Sequence, residues 1–170
     1  ARLRSNANDE GALVRTRTEI CARLIEDGVE VARYKASNFL TELGDKHIAQ
    51  CLLQPADRPT AMGWIAIDTG GGQTSVSTTL ATEVARAALG SDQAIGDNTT
   101  TNAYLSRILR DNAVIYTATF AAGVGTGKIT EFAILNAASS GTMLNYAAVS
   151  WPKGAGQDLV VTAVLTIGTS

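Results

Sequence analysis

Apolar and polar residues alternate with a period of two along the C-terminal part of the chain. Val114, Tyr116, Ala118 and Phe120 fall on one face of an extended segment, and Leu159, Val161, Ala163, Leu165 and Ile167 fall on one face of another. Successive strand side chains point to opposite faces, so this repeat predicts strands with one buried side. Four such segments follow one another: Val114–Phe120, Ile129–Asn136, Met143–Trp151 and Asp158–Ile167. Glycine-bearing turns separate them at Gly123–Gly127, Ala138–Gly141 and Pro152–Gly156. Short strands with frequent turns predict an antiparallel sandwich or barrel. The cadence describes a scaffold, which places function in the surface it presents.

Upstream the pattern is mixed. Ala12–Asn38 supports two readings. Leu13, Arg17, Ile20, Cys21, Leu24 and Ile25 fit a helical stripe. The same stretch also reads as a hairpin over Thr18–Ser37 that turns at Asp27–Gly28, a strong hairpin dipeptide. Val29, Val31, Arg33 and Lys35 alternate with Glu30, Ala32, Tyr34 and Ala36, as in an exposed strand. Phe39, Leu40, Leu43, Ile48, Cys51 and Leu52 keep helical spacing, which predicts a helix over Phe39–Leu53 with Asn38 as N-cap, stopped by Pro55. Gly44 inside it costs about 1 kcal/mol against alanine. Further strands are expected at Met62–Asp68, Ala103–Arg110 and Ala113–Ala121, the last two joined as a hairpin. Leu80–Leu89 reads as a short helix or irregular segment. Thr69–Ser77 and Gly90–Asn102 read as polar loops, and Ala1–Ala12 as an N-terminal arm.

Composition narrows the class. A length of 170 residues suits one domain, here 13–170 after the arm, with a core that needs no disulfides. The net charge of −2 gives no electrostatic reason to expect nucleic acid. No apolar run approaches the ~20 residues of a membrane span, and Ala1–Glu10 lacks the apolar centre of a signal peptide. Residues 1–60 hold 9 basic and 9 acidic side chains, against 5 and 7 in 61–170, so the first third is the solvated part. Cys21 and Cys51 have no CxxC spacing and read as free, mostly buried thiols in a reducing compartment.

Candidate chemistry is sparse. Ala122–Ile129 resembles a phosphate loop, but Ala122 stands where the first glycine is required and Ile129 where Ser or Thr must follow Lys128. It reads instead as a hairpin loop whose glycines supply positive φ. Gly70–Gly72 follows a strand without the GxGxxG spacing. His47 is the single histidine, and no GxSxG elbow accompanies it, so a surface or packing role is expected. Asp68, Glu83, Glu131 and Asp158 are scattered acids with no sign of the facing pair a glycosidase needs. Glu131 is expected to bond backbone or an arginine such as Arg86. Asp92, Asp97, Asn98 and Asn102 match no EF-hand spacing, and the sequon at Asn98–Thr100 is read as accidental. No catalytic, cofactor-binding or metal-binding residue is assigned.

The order of several segments resembles a family of tailed-bacteriophage virion structural proteins, tail-fibre-like or capsid decoration-like. The segments are the hairpin Ile20–Ala36, Asn38–Thr41 and His47–Ala49, then Trp64–Gly70 and Thr79–Arg86, and finally Tyr116–Phe120, Ile129–Asn136, Ser140–Leu144 and Asp158–Thr162. The sequence departs from the family pattern at Asp68 and in the loop Asn98–Asn102. The resemblance favours the hairpin at Thr18–Ser37. Pattern and resemblance together predict a mainly β antiparallel sandwich, with jelly-roll connections as one way to join the strands, carrying one short α-helix and an N-terminal hairpin. The resemblance implies a non-enzymatic virion component assembled in the host cytoplasm. Its expected partners are a major capsid protein and copies of itself, as trimer or dimer. The alternative is a tail-fibre or tail-tip module facing a host surface receptor. No cofactor, nucleic acid or membrane is expected as a partner.

Overall fold

The computed structural model describes residues 16–74, 76–90, 95–96, 101–102, 107–108 and 113–167. Its strands are β1 (Thr16–Glu26), β2 (Val29–Leu40), β3 (Trp64–Asp68), β4 (Glu83–Ala88), β5 (Ile95–Gly96), β6 (Thr101–Asn102), β7 (Arg107–Ile108), β8 (Ala113–Phe120), β9 (Gly127–Leu135), β10 (Met143–Lys153) and β11 (Asp158–Ile167). One helix, α1, spans Glu42–Gln50, and a 3-10 turn follows at Pro55–Asp57. No described helix is long and apolar enough to cross a membrane.

The fold is an antiparallel β-sandwich. One four-stranded layer runs β2-β1-β11-β8, with β5 at its edge; the other runs β4-β3-β9-β10. The layers are continuous because β2 outlasts its hairpin partner. Its body pairs with β1 as far as Thr18↔Asn38, and its last two residues, Phe39 and Leu40, then pair with Tyr146 and Asn145 of β10. At the opposite side the Gly90 N–H, just past β4, donates to the Thr117 carbonyl of β8 at 2.9 Å. The layers are therefore stitched at both margins.

Alternation fills the space between them. Ile20, Ala22 and Leu24 from β1, Ile65 and Ile67 from β3, Phe132 and Ile134 from β9, and Leu159, Val161, Ala163 and Leu165 from β11 form one buried core. Trp151 and Phe132 meet edge to face with ring centroids 6.2 Å apart. Fully burying an aromatic or aliphatic side chain of this kind contributes about 1.5–3 kcal/mol. This core is the main source of stability.

The helix starts later than its spacing predicts. Asn38 is not its cap. Asn38–Leu40 belong to β2, where their backbone completes ladders with β1 and β10. Thr41 caps α1: its Oγ accepts from the Gly44 N–H at 2.9 Å and donates to the Met143 carbonyl at 2.5 Å. The ordered helix ends at Gln50 instead of Leu53, because the Cys51 N–H shares the His47 and Ile48 carbonyls and the chain turns off. Gly44 is required here rather than merely tolerated. A Cβ on it would lie 1.8 Å from the Leu144 carbonyl oxygen, so only glycine lets α1 lie this close to β10.

Three other expectations change. Leu80–Leu89 contains strand β4, paired with β3 from Trp64↔Ala88 to Asp68↔Glu83, and no helix. The expected hairpin of 103–110 with 113–121 does not form among the described residues. Arg107 and Ile108 pair with Thr101 and Asn102 in a separate ribbon, and β8 pairs with β11 and β5. The glycines of 121–127 do not close a hairpin either. β8 and β9 lie in different layers, and the loop carries the chain across, with positive φ at Gly123, Gly125 and Gly127. The arm 1–12, Asp92, Asp97, Asn98 and the rest of the sequon lie outside the described residues.

Candidate functional site

The β1–β2 hairpin is the first of two distinctive surfaces. Asp27 and Gly28 both adopt positive φ (49° and 77°), the pair of angles a two-residue hairpin turn demands. One irregularity follows. Leu24 pairs with Ala32 but Ile25 pairs with Glu30, so Val31 is an extra, bulged residue. The bulge brings Glu30 to Arg33, which grips it through two hydrogen bonds of 2.7 and 2.9 Å, while Arg23 lies 3.8 Å away. The Arg33 hydrogen bond holds the Glu30 carboxyl below its usual range. Val29 and Val31 stand exposed, at 63% and 50%. Along Val29–Ser37 only the β1 edge of β2 is laddered; among the described residues no strand pairs with the other edge. An edge of this kind offers backbone N–H and C=O groups to a partner chain. Beneath the charged face, Cys21 is buried, and that burial pushes its thiol up.

The second surface is the outer face of the β3–β9 pair, roofed by the loop 69–82. Asp68 and Glu131 are direct register partners on neighbouring strands, and both are buried, at 0% and 2% exposure. Asp68 acts as a clamp. Its Oδ1 accepts from the Gly70 N–H and its Oδ2 from the Thr82 N–H at 2.5 Å, tying together both ends of the loop. The Thr130 hydroxyl donates to the Gly70 carbonyl at 2.6 Å. Gln73 is the loop's internal staple. With its amide oriented to fit its neighbours, the nitrogen donates to the Thr79 carbonyl at 2.8 Å and the oxygen accepts from the Ala81 N–H at 3.1 Å. Its backbone N–H donates to Glu131 Oε1 at 3.3 Å. Glu131 Oε2 is buried without a partner. Burial, with Asp68 adding to it, pushes the Glu131 carboxyl up. Leu80 caps an apolar patch of Ala66, Ala133, Leu135 and Met143 on the same face.

The remaining singled-out residues serve the fold. Glu131 does bond backbone, through Gln73, but not Arg86. That arginine binds Glu83 at 2.6 and 2.8 Å and the carbonyls of Ala137 and Ser140 at 2.7 and 2.9 Å. Asp158 accepts from the Ala122 N–H at 2.8 Å, and the buried Lys153 donates to the Ala121 carbonyl at 3.1 Å, so both brace the crossing loop 121–126. His47 is buried in α1, and burial lowers its pKa. Cys51 is exposed, not buried as expected, and both cysteines are free. Among the described residues no three His, Cys, Asp or Glu side chains converge on a metal position. The sequence displays both Asp68 and Glu131 but not their pairing, which register alone creates.

No protein-family model matches the chain, and no curated protein or solved structure matches it significantly.

Proposed function

We propose that this chain is a non-enzymatic structural component of a bacteriophage virion, a capsid cement or decoration subunit that bridges major capsid subunits. The observation that carries this reading is the β1–β2 hairpin, which joins the sandwich to a charged edge that no strand among the described residues ladders, flanked by exposed Val29 and Val31. Strand addition along such an edge gains main-chain hydrogen bonds without a cleft or a catalytic group. The resemblance of the segment order to virion structural proteins is the support for the phage setting. The use made of the polar side chains fits a scaffold: Asp68, Arg86, Lys153 and Asp158 all anchor backbone.

In this reading the hairpin and the arm 1–12 grip neighbouring shell proteins, and the sandwich meets its own copies. Symmetric repetition lets modest interfaces add up. The second reading is a tail-fibre or tail-tip module, favoured by the loop 69–82, which projects Val76 at 63% exposure toward a prospective host receptor. Copy number in purified particles separates the two: a cement subunit occurs in hundreds of copies and a fibre module in tens or fewer. Removing residues 1–12 should lower shell occupancy and capsid heat resistance. Unchanged occupancy and heat resistance would count against the cement reading.

A further inference from the structure

We infer that the β3–β4 loop, described at 69–74 and 76–82, is a proton-held latch: it stays closed over the β3–β9 face while Glu131 is protonated, and opens when Glu131 ionises opposite Asp68.

Asp68 and Glu131 face each other across one register step, both withdrawn from water. Two like charges in such a site repel, and each loses its hydration. The charged or titratable groups on the surrounding elements do not relieve this. On β4, Arg86 is committed to Glu83 and to two carbonyls. Lys128 is exposed at the start of β9, Tyr146 lies on β10 opposite Ala133, and the loop 69–82 contains no charged residue.

The acceptors divide unequally. Both Asp68 oxygens receive backbone N–H groups, from Gly70 and Thr82. Glu131 receives a single 3.3 Å hydrogen bond on Oε1, and Oε2 receives none. A carboxylate oxygen buried without a donor carries the full cost of desolvated charge, whereas a neutral carboxyl carries much less. A proton fits the orphan oxygen better than a metal. Calcium takes six to eight oxygens, and among the described residues Glu131 Oε2 is the one buried side-chain oxygen without a hydrogen-bond partner.

Loop position and Glu131 protonation are therefore linked. In the closed loop the Glu131 pKa lies above its ordinary value because burial, with Asp68 adding to it, outweighs the Gln73 hydrogen bonding that lowers it. In the open loop Glu131 is hydrated and titrates in the ordinary carboxylate range. The closed form thus binds the proton more tightly. Closure is fully favoured below the ordinary value, weakens as pH rises above it, and levels off once pH passes the raised value. Within that window the open population grows by up to about tenfold per pH unit. Asp68 still tethers Gly70 and Thr82, so the opening pivots on the loop ends and frees the span around Gln73.

The test is amide hydrogen exchange on the full chain between pH 5 and 8.5, corrected for intrinsic rates, comparing loop amides around Gln73 with β11 amides as reference. The expected result is loop protection that falls about tenfold or more across the range in wild type while β11 stays constant. Glu131→Gln, which mimics the protonated acid, should keep the loop protected and flat with pH. Equal pH dependence in wild type and Glu131→Gln would overturn the latch. Should that variant fold poorly, carbon NMR of the labelled Glu131 carboxyl in wild type decides instead. Titration above the ordinary glutamate range supports the latch, and titration within it refutes it. Calcium added at pH 8.5 should leave exchange unchanged; restored protection would make the site a cation site and overturn the proton reading.

Discussion

The hairpin β1–β2 and the roofed face of β3–β9 are both outer surfaces of the same sandwich, yet they treat charge in opposite ways. On the hairpin, acids and bases pair on the outer face, Glu19 with Arg17 and Glu30 with Arg33 and Arg23. Glu30 is held by Arg33, and the strand's second edge carries no described ladder. Under the loop 69–82, two acids are buried without a base, and one oxygen has no partner. The hairpin spends little folding energy on its charges, since exposed ion pairs contribute at most a fraction of a kcal/mol. The roofed face makes one carboxylate essential, because Asp68 satisfies two backbone donors that the loop cannot satisfy otherwise. The contrast separates a buried acid that anchors backbone from surface charges that pair with one another.

Mutations should break this contrast unevenly. The largest effect belongs to Asp68→Ala, which orphans the Gly70 and Thr82 N–H groups. Losing charge-assisted bonds at a buried site should cost about 3 kcal/mol, read as a lower denaturant midpoint together with an exposed loop. Gly44→Ala comes next. The rigid Leu144 backbone must yield to a Cβ that would sit 1.8 Å from its carbonyl oxygen, a distortion of about 2 kcal/mol; urea unfolding checks it. Gly28→Ala at φ 77° should cost about 1 kcal/mol by straining the hairpin turn without touching the core, seen as a small drop in melting temperature. Arg33→Ala should leave the melting temperature within error while reducing occupancy on purified capsid shells. A large stability loss from Arg33→Ala, or a negligible one from Asp68→Ala, would erase the distinction between the two surfaces.

Legibility in the sequence follows the range of the interaction concerned. The Asp27–Gly28 turn and the alternation in β8 and β11 are local, so they can be read from neighbouring residues. The start of α1 could not be read that way. Phe39 and Leu40 fit a helical stripe, and only the approach of β10 turned their backbone into ladder. Gly44 looked like a cost until Leu144 lay against it. The glycines of 121–127 gave the right backbone angles and the wrong connection, since positive φ allows a sharp turn but does not say which strand comes next to which. Arg86 was a reasonable partner for Glu131 by charge. Geometry gave it to Glu83 and the turn carbonyls of Ala137 and Ser140.

By itself, the sequence determined an antiparallel β architecture with one helix, because side-chain alternation and turn chemistry act over a few residues; at the N-terminus its pattern left a hairpin and a helical stripe equally open. Only the tertiary structure decided that β2 would cross from one layer to the other, and that Asp68 would meet Glu131 beneath a glycine-rich loop. Strand order and register depend on pairing between residues far apart in the chain. Asp68 and Glu131 are 63 positions apart in sequence and one register step apart in space.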